Sequence, residues 1–465
     1  MGVFMKTKKI LSLALCAVLS IPLFLSVSQA ESRESSIGAL EYIGGYPTKE
    51  TAQKFYDELD LQRAVEVYLW ALPMASYGAM AEAHYKLGAG DHAVIVADNS
   101  AEPQQLILTA NQDTIYMSGA LDLAKGPMVL DVPAGLLGTM NNIWQQPLVD
   151  IGGPFSPEQN RGGRFLILPP DYEGPMPPIA YHVVKSDSNT VVFYLRAVPQ
   201  SRDDFPKLQK LVRTFRQYRL DEAKNPPEMT FISMTGKDAD LLTHEGFEFF
   251  ESLSRYVKDN PPRPQDMAML GMLETLGIAH GREFNPDKRM REILTAAAKK
   301  GRAMAEVVAW HPRVPEKDLH PYDGSPWKRL FISADPTFHT PDYLLIDQRS
   351  RYGFEAIGTS KSMTVAAPGQ GSQYVCVYQD DKASGLQEIT RLVFIFQRIS
   401  LQQISGHSRS MITTLVLSSK MIRGVPRSAR YTGRFRTLTG QSTPTMGLNV
   451  LTVFLKKIGF RQNLA

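Results

Sequence analysis

The chain has 465 residues, 43% hydrophobic and 21% charged, a globular composition that excludes a disordered or fibrous protein and points to about two to four domains. The net charge of +4 and the pI near 8.8 conceal an uneven split: Gln387 to Ala465 carries twelve basic residues and one acid, Glu388, for +11, and the rest of the chain stands at −7. With an acidic body and no finger, helix-turn-helix or aromatic-interleaved basic patch, nucleic acid is excluded as the expected partner.

In chain order, MKTKK (Met5 to Lys9) is a positive n-region and ILSLALCAVLSIPLFLSV an apolar h-region. Ser28 and Ala30 put small residues at the −3 and −1 positions of a cleavage site before Glu31. This predicts a signal peptide over residues 1–30 cleaved after Ala30, a periplasmic or secreted protein, and no stable membrane span after leader removal. Loss of the leader removes Cys16 and leaves Cys376, which excludes an internal disulfide. In the alternating run QYVCVY that cysteine reads as a buried small hydrophobe.

Thr48 predicts a cap for a helix over Lys49 to Leu59. Leu61, Val65, Tyr68, Leu69 and Leu72 continue at helical spacing until Pro73 ends or kinks the run. From about His92 the period changes to short runs rich in β-branched and aromatic residues: HAVIVAD, QLILTA, GPMVLDVP, RFLILPP, IAYHVVKS and NTVVFYLRAV. Turn residues separate them, which argues for an antiparallel sandwich or barrel rather than a parallel α/β sheet. Pro206 to Leu220 reads as helix. Asp238 to Trp310 is mostly helical in pattern, with Gly281 a predicted helix stop and Asp287 opening a long helix. The text after Trp310 is a turn-rich loop, then mixed and strand-like in KRLFISAD, DYLLIDQRSRYGFEAIG and QYVCVYQDD.

The stretches EYIGGYP, ANQDTIYMSGALDLAKGPMVLDVP and NRGGRFLILPPDYEG resemble an exported bacterial family that carries a domain of unknown function 1254 followed by a domain of unknown function 1214. The similarity runs in order over roughly Glu41 to Asp381. It implies a β-sandwich N-terminal domain, a helical middle and a C-terminal jelly-roll-like domain, and it implies no catalytic assignment. The expected fold class is therefore α+β, mainly β. Residues 31–220 are expected to form the first domain with its N-terminal helices, 221–330 the helical region, and 331–386 the start of the second domain.

Residues 387–465 do not fit. The resemblance implies a stretch like NIPANNFWSFTVYDNxTRS, then NPDGSVDxYFGPK, then NWIPTKPG, and none of these is present. Yet SGHSRSMITTLVL, Ser405 to Leu417, back-translates to DNA that reads FWSFTVYDNHTRS when begun one base earlier. In that same frame Arg391 to Ser405 yields a text ending in NIPATNF, Arg436 to Thr443 yields NPDGSVD, and Met446 to Ala465 yields GPKRPDGFFEKNWIPTKPG. Four segments in one frame and in the family's order predict a frameshift near Lys382 to Gln387. The excess of basic residues follows, because a shifted reading retains no selection for acids.

The polar loop NQDTIY offers Asn111, Asp113, Thr114 and Tyr116, which fit either ligand contact or an Asx or Thr turn. Trp144 and Gln145 pair an aromatic face with an amide, suited to a carbohydrate or lipid and equally to a core. Arg161 and Arg164 flank two glycines, where backbone and guanidinium could meet an anion or simply form a solvated turn. The histidines show no short metal pair, so no metal is expected, and no P-loop, GxSxG or GxGxxG supports a cofactor or reaction. The expectation is an exported cell-envelope protein that binds a small molecule or an envelope component or acts in assembly, with homo-oligomerisation also open. The alternative is a periplasmic hydrolase with its site near the Asn111–Tyr116 loop.

Overall fold

The computed structural model describes residues 30–98, 102, 104–109, 114–177, 181–321, 323–324, 327–365, 372–378, 392–397 and 413–417. Residues 1–29 of the expected 1–30 leader, the candidate residues Asn111 and Asp113, the Lys382–Gln387 junction and most of the tail lie outside them. The strands are β1 (Ala30–Ser35), β2 (Gly38–Ile43), β3 (Tyr46–Pro47), β4 (Ala93–Ala97), β5 (Gln105–Leu106), β6 (Ile115–Asp122), β7 (Met128–Val132), β8 (Leu136–Asn142), β9 (Pro147–Ile151) and β10 (Gly163–Leu168). They continue as β11 (His182–Lys185), β12 (Thr190–Ala197), β13 (Arg216–Arg219), β14 (Thr230–Ser233), β15 (Ala239–Asp240), β16 (Lys328–Arg329), β17 (Ser372–Val377), β18 (Leu392–Gln397) and β19 (Thr413–Leu417). The helices are α1 (Lys49–Lys86), α2 (Phe205–Val212), α3 (Glu248–Asp259), α4 (Met267–Thr275), α5 (Lys288–Trp310), α6 (Glu316–Leu319), α7 (Ile346–Glu355) and α8 (Lys361–Thr364). This is an α+β protein with several sheets, and none of its described helices is long and apolar enough to cross a membrane.

The chain divides into two units, Met1–Leu59 and Asp60–Ala465. In the first, β1, β2 and β3 form an antiparallel sheet. Thr48 caps the helix start as expected, its Oγ1 accepting from Thr51 N at 3.2 Å. Thr51 Oγ1 in turn accepts from Glu41 N at 2.8 Å, and Lys54 Nζ donates to Ala39 O at 2.7 Å.

In the second unit a six-stranded sheet, ordered β14-β4-β6-β12-β8-β9, and a four-stranded sheet, β11-β10-β7-β13, supply one apolar cluster. Val96, Met117, Phe193 and Met140 come from the larger sheet and Leu130, Phe165 and Val184 from the smaller. Most pairings are antiparallel, but β10 runs parallel to β11 and β14 parallel to β4. A second cluster joins α1, α3, α4 and α5. There α1 is buried on nearly every side from Ala64 to His84, as expected of a helix that is apolar all round.

Four local expectations resolve differently. Helix α1 does not end at Pro73 but continues to Lys86. Proline lacks the N–H that Leu69 O needs; the Ser350 hydroxyl, shared with Ile346 O, reaches that carbonyl at 3.0 Å, and Arg349 Nη1 donates to the neighbouring Trp70 O. Gly353 permits the approach, since a Cβ there would lie 2.9 Å from Pro73 Cδ. The expected helix over Pro206 to Leu220 stops at Val212, and Arg216–Arg219 becomes a strand paired with β7, burying Gln217 and Tyr218. Sheet pairing outweighs local propensity at that edge. The strand-like text around Arg351 is helix α7, whose residues Arg349 to Phe354 are all buried, so no face alternates to reveal it. Helix α4 ends at Thr275, where Gly277 at φ 88 lets Ile278 N reach Leu273 O, ahead of the expected stop at Gly281. Asp287 does cap α5, accepting from Met290 N at 2.7 Å.

Strands β16, β17, β18 and β19 form a further antiparallel ladder. Cys376 is buried there beside Leu330, Phe338 and Tyr352.

Candidate functional site

The register of the six-stranded sheet builds the site. Tyr116 pairs with Arg196 and Ser118 with Tyr194 across β6 and β12; Ala97 pairs with Tyr116 and Ile95 with Ser118 across β4 and β6. Side chains alternate along a strand, so these residues share the face turned away from the inter-sheet core. Helix α1 covers part of that face. Tyr77 and His84, two turns apart, meet it: Tyr77 Oη donates to Asn141 Oδ1 at 2.9 Å, and His84 Nε2 lies 3.0 Å from Ser118 Oγ.

Between this face, Met80 of α1, the segment after β5, Tyr352 of α7 and Tyr374 of β17 lies a cavity of about 110 Å³. Met234, Leu241, Ile357 and Met363 complete an apolar wall, and four tyrosines, Tyr116, Tyr194, Tyr352 and Tyr374, supply phenols. None of the described lining residues is Asp, Glu, Lys or Arg. Two backbone features shape the wall. Gly358, at φ 73, packs against the Tyr194 ring so closely that a Cβ would lie 2.2 Å from Cε1. Thr109 sits at φ 55, a left-handed conformation that a β-branched residue adopts only under constraint, and such strain gathers at ligand sites.

Burial lowers the His84 imidazole to about 4, so it is neutral at ordinary pH, and its Nδ1 has no partner among the described residues. Burial raises Tyr374 to about 12 and Tyr194 and Tyr352 well above the usual phenol value; these rings are hydrogen-bond donors, not phenolates. Two of them are partly used, Tyr352 Oη donating to Gly358 O at 2.6 Å and Tyr194 Oη to Met363 Sδ at 3.6 Å. Burial pulls Arg196 down, but the neighbouring Tyr116 and Tyr374 phenols more than offset this.

Of the residues singled out from sequence, Tyr116 lines this cavity, and Thr114 is buried just before it with an unpartnered Oγ1 among the described residues. Asn111 and Asp113 lie outside the described residues, and Trp144, Gln145, Arg161 and Arg164 lie elsewhere. Trp144 is 5% exposed, its ring 4.4 Å from that of Trp70, with the Arg263 guanidinium 4.8 Å above it. It floors a separate groove of about 250 Å³ with Met74, Leu270 and Ile278. Gln145 is consumed by the core: Nε2 donates to Pro73 O at 3.0 Å and Oε1 accepts from Gly358 N at 2.8 Å. Arg161 and Arg164 are exposed, and Arg164 lies 3.6 Å from Asp131. Gly162 between them serves the chain's own backbone, since a Cβ would lie 2.6 Å from Ala134 N. His84, Ser118, Tyr194, Arg196, Tyr352 and Tyr374 were not singled out. The period-2 text IYMSGALD was the available signal: it places Tyr116 and Ser118 on one face and Ile115, Met117 and Leu121 on the other.

The fold and site thus define an α+β protein with a small, uncharged, tyrosine-rich cavity behind a six-stranded sheet. Residues 92–219 match the family described as a protein of unknown function (DUF1254). No curated protein matches the chain. Among solved structures, the chain is similar to a Vibrio parahaemolyticus protein at 15% identity, covering 72% of this chain and 75% of that one, with a TM-score of 0.45. It is also similar to an uncharacterised Burkholderia cenocepacia protein at 13% identity, covering 60% and 68%, with a TM-score of 0.22.

Proposed function

We propose that this is a small-molecule-binding protein of the cell envelope, with its ligand in the cavity lined by Tyr116, Ser118, Tyr194, Tyr352 and Tyr374. The observation that carries this reading is a concave, mostly apolar space with a few convergent polar groups, the usual make-up of a ligand site. Filling it tests the idea: Ala97→Phe should abolish the thermal-shift and ligand-observed NMR responses that a fragment library produces with the wild type. If the same fragments still bind the variant, the cavity is not the site.

A second reading, a periplasmic hydrolase, is favoured by one contact, the His84–Ser118 pair at 3.0 Å, which has the reach of a base and its nucleophile. Fluorophosphonate labelling that disappears in Ser118→Ala would establish it; an unlabelled wild type removes it.

The finer architecture belongs to the same proposal. The six- and four-stranded sheets are read as the β-sandwich of the first domain, and the β16–β19 ladder as an incomplete domain of unknown function 1214. Residues 1–30 are read as a cleaved leader, so a mature protein recovered from the periplasm or medium should begin at Glu31. The tail is read as out-of-frame translation. An apolar run such as LVFIFQ in β18 forms ladder bonds whatever the origin of its codons, so the test is genomic. Resequencing should restore NWIPTKPG-type text, and a mass spectrum containing peptides from Arg409 onward as given would refute the shift.

A further inference from the structure

We infer that the cavity takes a carboxylate, an apolar body about the size of one aromatic ring with a single anionic head received by the phenols of Tyr116 and Tyr374 and drawn by the charge of Arg196. This rests on the cavity being a binding site and deepens that reading. The size follows from the volume. An engineered cavity of about 150 Å³ accepts benzene, and the space here, about 110 Å³ and open at one side, holds a ring with its head group reaching outward.

The sign of the head group follows from what surrounds the cavity. Its described lining residues carry no charge, and a described cation, Arg196, is set directly across from Tyr116 in the β6–β12 register, on the cavity's face of the sheet. A guanidinium cannot lose its charge under ordinary conditions, and the half-buried Arg196 has no ion pair among the described residues, so it favours an anion nearby. One cation offsets one negative charge, which favours a monoanion over a phosphate dianion. A cationic ligand would meet Arg196 with no described acid in the lining to receive it. The apolar wall of Met80, Met234, Leu241 and Met363 suits a ring, and thioethers pack well against aromatic edges.

Three ring-matched probes separate the head group from the body: benzoate, benzyl alcohol and benzylamine, titrated into the full chain by calorimetry. The expected order is benzoate at least tenfold tighter than benzyl alcohol, with benzylamine unbound. Tyr116→Phe and Arg196→Gln should each bring benzoate down to the level of benzyl alcohol while leaving benzyl alcohol unchanged, a selective loss that general damage to the fold does not produce. Should Arg196→Gln fail to fold, Tyr116→Phe carries the test alone. Equal binding of the three probes, or benzoate preference that survives in the variants, overturns the carboxylate assignment and leaves the cavity reading standing. If no probe binds the wild type, the cavity reading falls and this inference with it.

Discussion

At the scale of single residues, two neighbours on α1 set successive steps of the response to acid. Burial holds His84 near 4, below its usual 6.5; the folded state therefore resists a proton that the unfolded state accepts. Its contribution is complete above about pH 6.5 and is lost as pH falls towards 4, on the order of 3 kcal/mol. Burial also works against the Glu82 carboxylate, but hydrogen bonds from His244, Arg255 and Ser252 overcome it and hold Glu82 at about 2, below its usual 4.5. That contribution persists above about 4.5 and disappears only as pH falls towards 2. Urea unfolding of His84→Gln, which keeps a partner for Ser118 without titrating, should show a flat stability between pH 6.5 and 4.5, with the lower step intact. Gly358→Ala should cost about 2 kcal/mol or more, from a left-handed backbone and a clash with the Tyr194 ring, visible as a lower thermal midpoint. Tyr116 was legible because it follows a polar loop. His84 was not, because a lone histidine in the last turn of a helix resembles any helix end until a strand from elsewhere brings it a serine.

At the scale of elements, the contact between α1 and α7 is the most exacting. Pro73 leaves Leu69 O without its helical donor, and α7 comes close enough to answer it only because position 353 is glycine. Gly353→Ala should destabilise by about 1–3 kcal/mol, and Pro73→Ala, which removes the ring it strikes, should recover part of the loss. A double-mutant cycle on denaturation midpoints reads the coupling directly; additive losses would show that the two residues do not meet in solution. Sequence periodicity revealed α1 and α5, whose capping residues Thr48 and Asp287 stand where helices begin. It missed α7 and misread the end of α2 for one reason. Arg349 to Phe354 and Arg216 to Arg219 take their conformations from partners distant in sequence, and buried arginines break the apolar pattern that marks a core.

At the scale of the whole molecule, the charge division between body and tail is the feature with the widest effect. The chain with its frame restored should lose most of the +11 carried from Gln387 onward and gain the strands that the resemblance implies. Light scattering and thermal melting of the two versions side by side should show the restored chain less aggregated and more stable, because unmatched edges and apolar surface invite association. Equal behaviour of the two would argue that the tail as given is a working part of the protein. The α+β class was legible from the change of period near His92. The three parallel pairings among the described strands, β10–β11, β14–β4 and β15–β5, were not, since strand text carries no direction.

Strand β6 has an interior on each side: Ile115, Met117 and Leu121 hold the two sheets together, while Tyr116 and Ser118 face the cavity. Parity along that strand therefore separates two kinds of inheritance. Changes at Tyr116 and Ser118 reshape the cavity lining while the fold persists, whereas those at Ile115, Met117 and Leu121 threaten the fold first. The cavity lining is thus free to drift among descendants of this chain without a matching drift in architecture.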